Sequence, residues 1–173
     1  MELHASVPLI GPGLAIAAAS GRLSVAGPIA MRPGSRTRLC HRLIAHPAGK
    51  GKRRSMSERD FIALFDGTHQ LIKAPIMLVR DRLNTHVSRT MRESIDAREW
   101  PTVFLLPAYS PGLNPVEGVW AHVKRSLANL AVVALDRLEV LVRNRLKRLQ
   151  YRPETLDGFI VGTGLTLGNP TSP

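Results

Sequence analysis

The chain has 173 residues, enough for one domain with a sizeable core, and its 44% hydrophobic and 21% charged composition is globular rather than disordered. Its 24 Lys and Arg against 13 Asp and Glu leave a formal net charge of +11. That suits a polyanionic partner, because each neutralised phosphate releases condensed counterions, although a solvated basic surface has the same composition. The single Cys40 excludes an internal disulfide and a cysteine-based zinc cluster, and no apolar run reaches the length of a membrane span.

In chain order, residues 1–21 are rich in Gly, Pro and Ala without a clear period and read as an irregular leader. Pro8 to Ser20 lacks a basic flank and is broken by Pro and Gly, so it reads as non-secretory, in keeping with a cytoplasmic, nucleoid-associated protein. Arg22–Met31 and Arg36–Ala45 read as two strands of a hairpin turned at Arg32-Pro33-Gly34-Ser35, with Pro28 expected at an edge or a bulge. A basic loop containing Lys50, Lys52, Arg53 and Arg54 leads to a helix signalled by Ser57 and Asp60, with Phe61, Leu64, Phe65, Thr68, Leu71 and Ile72 on one face. Ile76–Val79 predicts a short buried strand ending at Asp81. Val87, Met91 and Ile95 predict a helix, and Thr102–Leu106 another buried strand. After a turn-rich loop, helices are expected from Pro115 to about Ala131 and from Leu135 to Tyr151. The second carries Arg137, Arg143, Arg145, Lys147 and Arg148 opposite its apolar side. Residues 166–173 read as a disordered tail. The alternation of elements predicts an α/β domain whose mixed sheet is covered by helices on both faces.

Two acids stand where chemistry is often placed. Asp81 follows an apolar strand, and Glu117 occupies the third position of a helix that Asn114 caps and Pro115 opens. If a helix joins two parallel strands between them, both carboxylates reach one sheet edge. Hard oxygen ligands there suit Mg²⁺ or Mn²⁺, and two such ions drive in-line phosphoryl displacement. Each acid also has a structural reading: Asp81 can close a turn with Asn84, and Glu117 can act as a capping acid.

The string Leu106-Pro107-Ala108-Tyr109-Ser110-Pro111-Gly112-Leu113-Asn114-Pro115-Val116-Glu117-Gly118-Val119-Trp120, followed by Lys124, closely resembles the signature of mariner-like DDE transposases, above all their bacterial insertion-sequence branch. Ile76–His86, Gln150–Pro153 and Gly158–Ile160 resemble further parts of such proteins. The resemblance spans about residues 22–165 and implies a ribonuclease H-like fold in which three acids bind two Mg²⁺ or Mn²⁺ ions for DNA strand cleavage and transfer. It assigns Asp81 as the second acid and Glu117 as the third. It also implies DNA partners (terminal inverted repeats and target DNA) and a homodimer. Lys124, two turns beyond Glu117, can reach a phosphate or simply face solvent, and Lys50, Lys52, Arg53 and Arg54 are further candidate DNA contacts. Trp120 is expected in the core.

The resemblance fails at its beginning. Glu2 is the only acid before Glu58, so the first catalytic aspartate has no counterpart. The strand that carries it is expected to be missing, with Leu14–Ala19 as a surrogate that brings no carboxylate, and a preceding helix-turn-helix is expected to be missing too. Arg80 and Arg82 flank Asp81 and would repel a divalent ion, while Gly112 replaces an expected Asp. The sequence therefore predicts a partial catalytic domain without strand-transfer activity of its own. A non-enzymatic DNA-binding remnant, using Lys50, Lys52, Arg53, Arg54 and the basic last helix, is the alternative. A basic RNA-binding protein is a third reading, one that leaves the Pro107–Trp120 string unexplained.

Overall fold

A computed structural model describes residues 7–10, 13–32, 34–53, 55–80, 88–107, 110–129 and 133–164. These residues form strands β1 (Val7–Ile10), β2 (Leu14–Ala18), β3 (Gly21–Ala26), β4 (Pro28–Arg32), β5 (Ser35–Leu39), β6 (Arg42–Pro47), β7 (Ile76–Arg80) and β8 (Pro101–Leu105). The helices are α1 (Glu58–Ile72), α2 (Arg89–Asp96), α3 (Pro115–Leu127), α4 (Leu135–Gln150) and α5 (Pro153–Val161). Five strands pair in the order β5-β4-β1-β7-β8, and β2-β3-β6 form a second, antiparallel sheet. In the larger sheet β1 runs antiparallel to β4 and parallel to β7, and β7 runs parallel to β8.

The expected hairpin is present but bent. Each predicted long strand divides in two, so β3 and β6 belong to the smaller sheet while β4 and β5 belong to the larger. Gly27 marks the bend: a Cβ there would lie 2.2 Å from the Cys40 carbonyl oxygen, so only glycine allows the two arms to cross so closely. Just beyond, the Cys40 N–H donates to the Pro28 carbonyl at 3.0 Å. Pro28 lies at neither an edge strand nor the bulge, which falls between Ala30 and Arg32; it opens β4, where its missing N–H is tolerated.

The region read as an irregular leader supplies two strands, and the strand expected to be missing is present. Val7–Ile10 fills the centre of the larger sheet, with Leu9 level with Val79 and Ile10 level with Arg80. Four residues bounded by Gly and Pro carry too short an apolar pattern to signal a strand; pairing on both sides creates it. A second correction concerns β8. The Thr102–Leu106 run reads as buried, yet β8 is an edge strand with Phe104 49% and Leu105 46% exposed.

The helices begin where the capping signals lie. The Asp60 carboxylate accepts the Ser57 N–H and hydroxyl, both at 2.8 Å, and the Ser88 hydroxyl accepts the Met91 N–H at 3.2 Å. Leu71, assigned to the buried face of α1, is exposed at its last turn. Helix α5 was not anticipated as a helix; Pro153 at its first turn and Leu156 and Ile160 on one face are its signals. Alternate strand residues feed two cores on opposite sheet faces. Leu23, Val25, Ile29 and Leu39 pack with α3, α4 and α5, whereas Ala26, Ile76 and Leu78 pack with α1 and α2. No described helix is long and apolar enough to cross a membrane.

Candidate functional site

Strand β7 sits between β1 and β8, all three running the same way. Their C-terminal ends therefore form one edge, and the Leu106 N–H extends the β7–β8 ladder by donating to the Arg80 carbonyl at 2.8 Å. A 3-10 turn at Pro111–Leu113 precedes the next helix. Asn114, 4% exposed, then caps α3: its side-chain oxygen accepts the Val116 N–H at 3.2 Å, and its carbonyl accepts the Glu117 N–H at 3.1 Å.

Glu117 is thus set in the first turn of a helix whose remaining face is anchored. Val116, Val119, Trp120 and Val123 are buried on α3, which packs against β1 and β4. Gly118 draws α5 close: a Cβ there would stand 2.9 Å from Phe159 Cδ1. Half-buried Glu117 also benefits from the unsatisfied N–H groups of a helix N-terminus, which favour a carboxylate. Trp120 lies in the core, as its spacing from Glu117 suggests.

Asp81 lies outside the described residues, together with Asn84 and His86. Its neighbour Arg80 is described: it ends β7, buried, on the side of Ile76 and Leu78, while Val79 packs with the α3 core. Among the described residues no three His, Cys, Asp or Glu side chains cluster as a metal site. β1 itself holds Val7, Pro8, Leu9 and Ile10, without a carboxylate.

The other acids near the start of the chain serve structure. Asp60 pairs with Arg53 at 2.9 Å and Arg42 at 3.5 Å. Burial pushes the Asp60 carboxyl up, but the Ser57 hydrogen bonds and these two arginines outweigh it and hold the carboxyl below its ordinary value. Asp66 accepts a two-pronged pair from Arg98, at 2.8 and 2.7 Å, which ties α1 to the segment after α2. Sequence spacing does not reveal this tie, because its partners are 32 residues apart.

Of the basic residues singled out, Lys50, Lys52 and Lys124 are exposed, and Arg54 lies outside the described residues. Arg53 is committed in part to Asp60 and to the Ser57 hydroxyl at 3.1 Å, so it also stabilises the start of α1. Behind this loop the buried His46 ring lies 3.0 Å from the Ser24 hydroxyl. Burial, then the Arg53 charge, lowers the His46 pKa.

A family model described as "DDE superfamily endonuclease" matches residues 50–139. Among solved structures, the catalytic domain of Mos1 mariner transposase superposes with a TM-score of 0.60 at 14% identity, covering 96% of this chain and 85% of that one. A structure of the Mos1 transposase catalytic domain and raltegravir with Mg gives 0.56 at 15% identity, covering 96% and 87%. A simian T-cell lymphotropic virus intasome in complex with the PP2A regulatory subunit B56 gamma gives 0.53 at 8% identity, covering 83% and 47%. No curated protein matches. At these identities the likeness is one of fold, the ribonuclease H-like α/β fold of transposase and integrase catalytic domains.

Proposed function

Since the chain belongs to the DDE superfamily endonuclease family, we propose that Asp81 and Glu117 are the second and third metal-binding acids of a transposase of the mariner-like, bacterial insertion-sequence branch. Its reaction is divalent-metal-dependent cleavage and transfer of DNA strands, with the element's terminal inverted repeats and target DNA as partners and a homodimer as the working form.

One observation carries this reading: β7 and β8 run parallel, so they end at one edge of the larger sheet, and after nine residues beyond β8 the chain opens α3, which packs against β1 and β4. Val79 packs with the α3 core and the buried Arg80 ends β7, one residue before Asp81 in the sequence. The donor set suits one Mg²⁺ or Mn²⁺, because carboxylate oxygens are hard ligands and the Glu117 backbone is already held by the Asn114 cap. When bound, such an ion supplies Lewis acidity at a phosphate oxygen and lowers the pKa of the attacking oxygen.

The residues of the chain orient and hold. Pro107, Pro111 and Pro115 restrict the loop before Glu117 and lower the entropy lost on ordering it. Lys124, exposed on the same helix face two turns on, binds a phosphate and fixes the register of the strand. β1 brings no oxygen ligand, so the two-ion arrangement lacks one of its three acids and the chain has no strand-transfer activity by itself.

The test is a nicking assay on terminal-repeat DNA with Mg²⁺ or Mn²⁺, run beside a Mn²⁺ titration followed by tryptophan fluorescence. Bound Mn²⁺ without cleavage is expected. Cleavage that Asp81→Ala abolishes would overturn the inactivity. The second reading is metal-independent DNA binding, favoured by a central strand without a carboxylate and by the exposed Lys50 and Lys52. Duplex binding unchanged by EDTA, with no Mn²⁺ bound, selects it.

A further inference from the structure

Helix α4 carries five cations against two acids, and its packing leaves most of them on the surface. Leu135, Leu138, Val142, Leu146 and Leu149 face the core, so the outward side presents Arg137, Asn144, Lys147 and Arg148. Glu139 is paired with Arg143 at 2.7 Å. Arg137, Lys147 and Arg148 have no such partner among the described residues. Charge alone describes an ordinary solvated face, but two further features do not fit that description.

First, Val140 is 57% and Tyr151 69% exposed on the same outward side, an apolar and an aromatic surface set among the cations. Single exposed apolar residues are ordinary on a surface, but set beside a row of cations they add a ring and a methyl face that can lie against a sugar. Second, the Arg145 Nε on the flank of the helix is buried and makes no hydrogen bond among the described residues. A buried donor without an acceptor is costly, and an anion reaching the guanidinium offsets that cost.

We infer that the outward face of α4, from Arg137 to Tyr151, is a docking surface for the sugar–phosphate backbone of duplex DNA, separate from the acid-bearing edge. Its cations are spread along about 17 Å of helix, a length that meets two or three successive phosphates. The arginines bind phosphate oxygens in pairs, and Tyr151 lies against a sugar. Position and charge come from α4 itself; the choice of DNA as the polyanion rests on the transposase reading above.

The experiment uses the full chain in EDTA and a fluorescently labelled short DNA duplex, titrated by anisotropy at several salt concentrations. Arg137→Ala with Arg148→Ala, both exposed, is expected to weaken binding about tenfold near 0.1 M salt and to lower the slope of log affinity against log salt by about 2. An unchanged melting temperature confirms that the double variant is folded. Undiminished affinity and slope overturn the surface, and tighter binding of an RNA duplex of the same sequence overturns the choice of DNA. If Mn²⁺ fails to bind while the double variant still loses the duplex, the surface stands and the catalytic reading falls. If Mn²⁺ binds and the double variant keeps the duplex, only the surface falls.

Discussion

Asn114 shows how much of the candidate site rests on single side chains. Its buried amide oxygen satisfies a helix N–H directly before Glu117. Asn114→Ala is expected to cost about 1–2 kcal/mol of stability, read by denaturant unfolding, and to weaken Mn²⁺ binding through Glu117. His46 makes a pH prediction. Its folded pKa lies below the ordinary 6.5, so the unfolded chain takes up the proton first. Stability from this group is therefore present above pH 6.5 and is lost as pH falls towards the folded value. Calorimetry should show the melting temperature dropping below about pH 6.5, with a shallower drop in His46→Gln; an equal drop in the variant contradicts the assignment. At this scale the local signals were readable: Ser57 with Asp60, Asn114 with Pro115 and Glu117, and Trp120 in the core. The commitment of Arg53 to Asp60, and of Arg98 to Asp66, was not, because folding alone brings those partners together.

The elements tell a similar story of local pattern against tertiary context. Hydrophobic period and turn residues located α1, α3, α4 and β7 to within a few residues. They could not show that one hairpin serves two sheets, since the bend depends on the close approach of Gly27 to the Cys40 carbonyl. Gly27→Ala is expected to destabilise the chain by about 2 kcal/mol or more, because its Cβ collides with backbone rather than with a movable side chain. A wild-type midpoint in urea would argue that the arms separate freely. β8 reads as buried because an apolar run is the same on a central strand and on an edge; only the pairing order distinguishes them.

For the whole molecule, the central place of β1 is the decisive correction. The larger sheet closes around Val7–Ile10, with β4 on one side and β7 on the other, so two strands lose a neighbour if it is removed. Deleting residues 1–12 is expected to abolish the cooperative thermal transition seen by circular dichroism; a sharp melt in the deletion variant contradicts the role given to β1. The same strand completes the sheet without a carboxylate, the group that the proposed two-ion chemistry would need there.

The most direct measurement is calorimetric titration of Mn²⁺ into the wild-type chain, Asp81→Asn and Glu117→Gln. These substitutions remove charge with little change of shape. One ion is expected to bind the wild type and none either variant, with all three melting alike in EDTA. Equal Mn²⁺ binding by all three proteins contradicts that expectation.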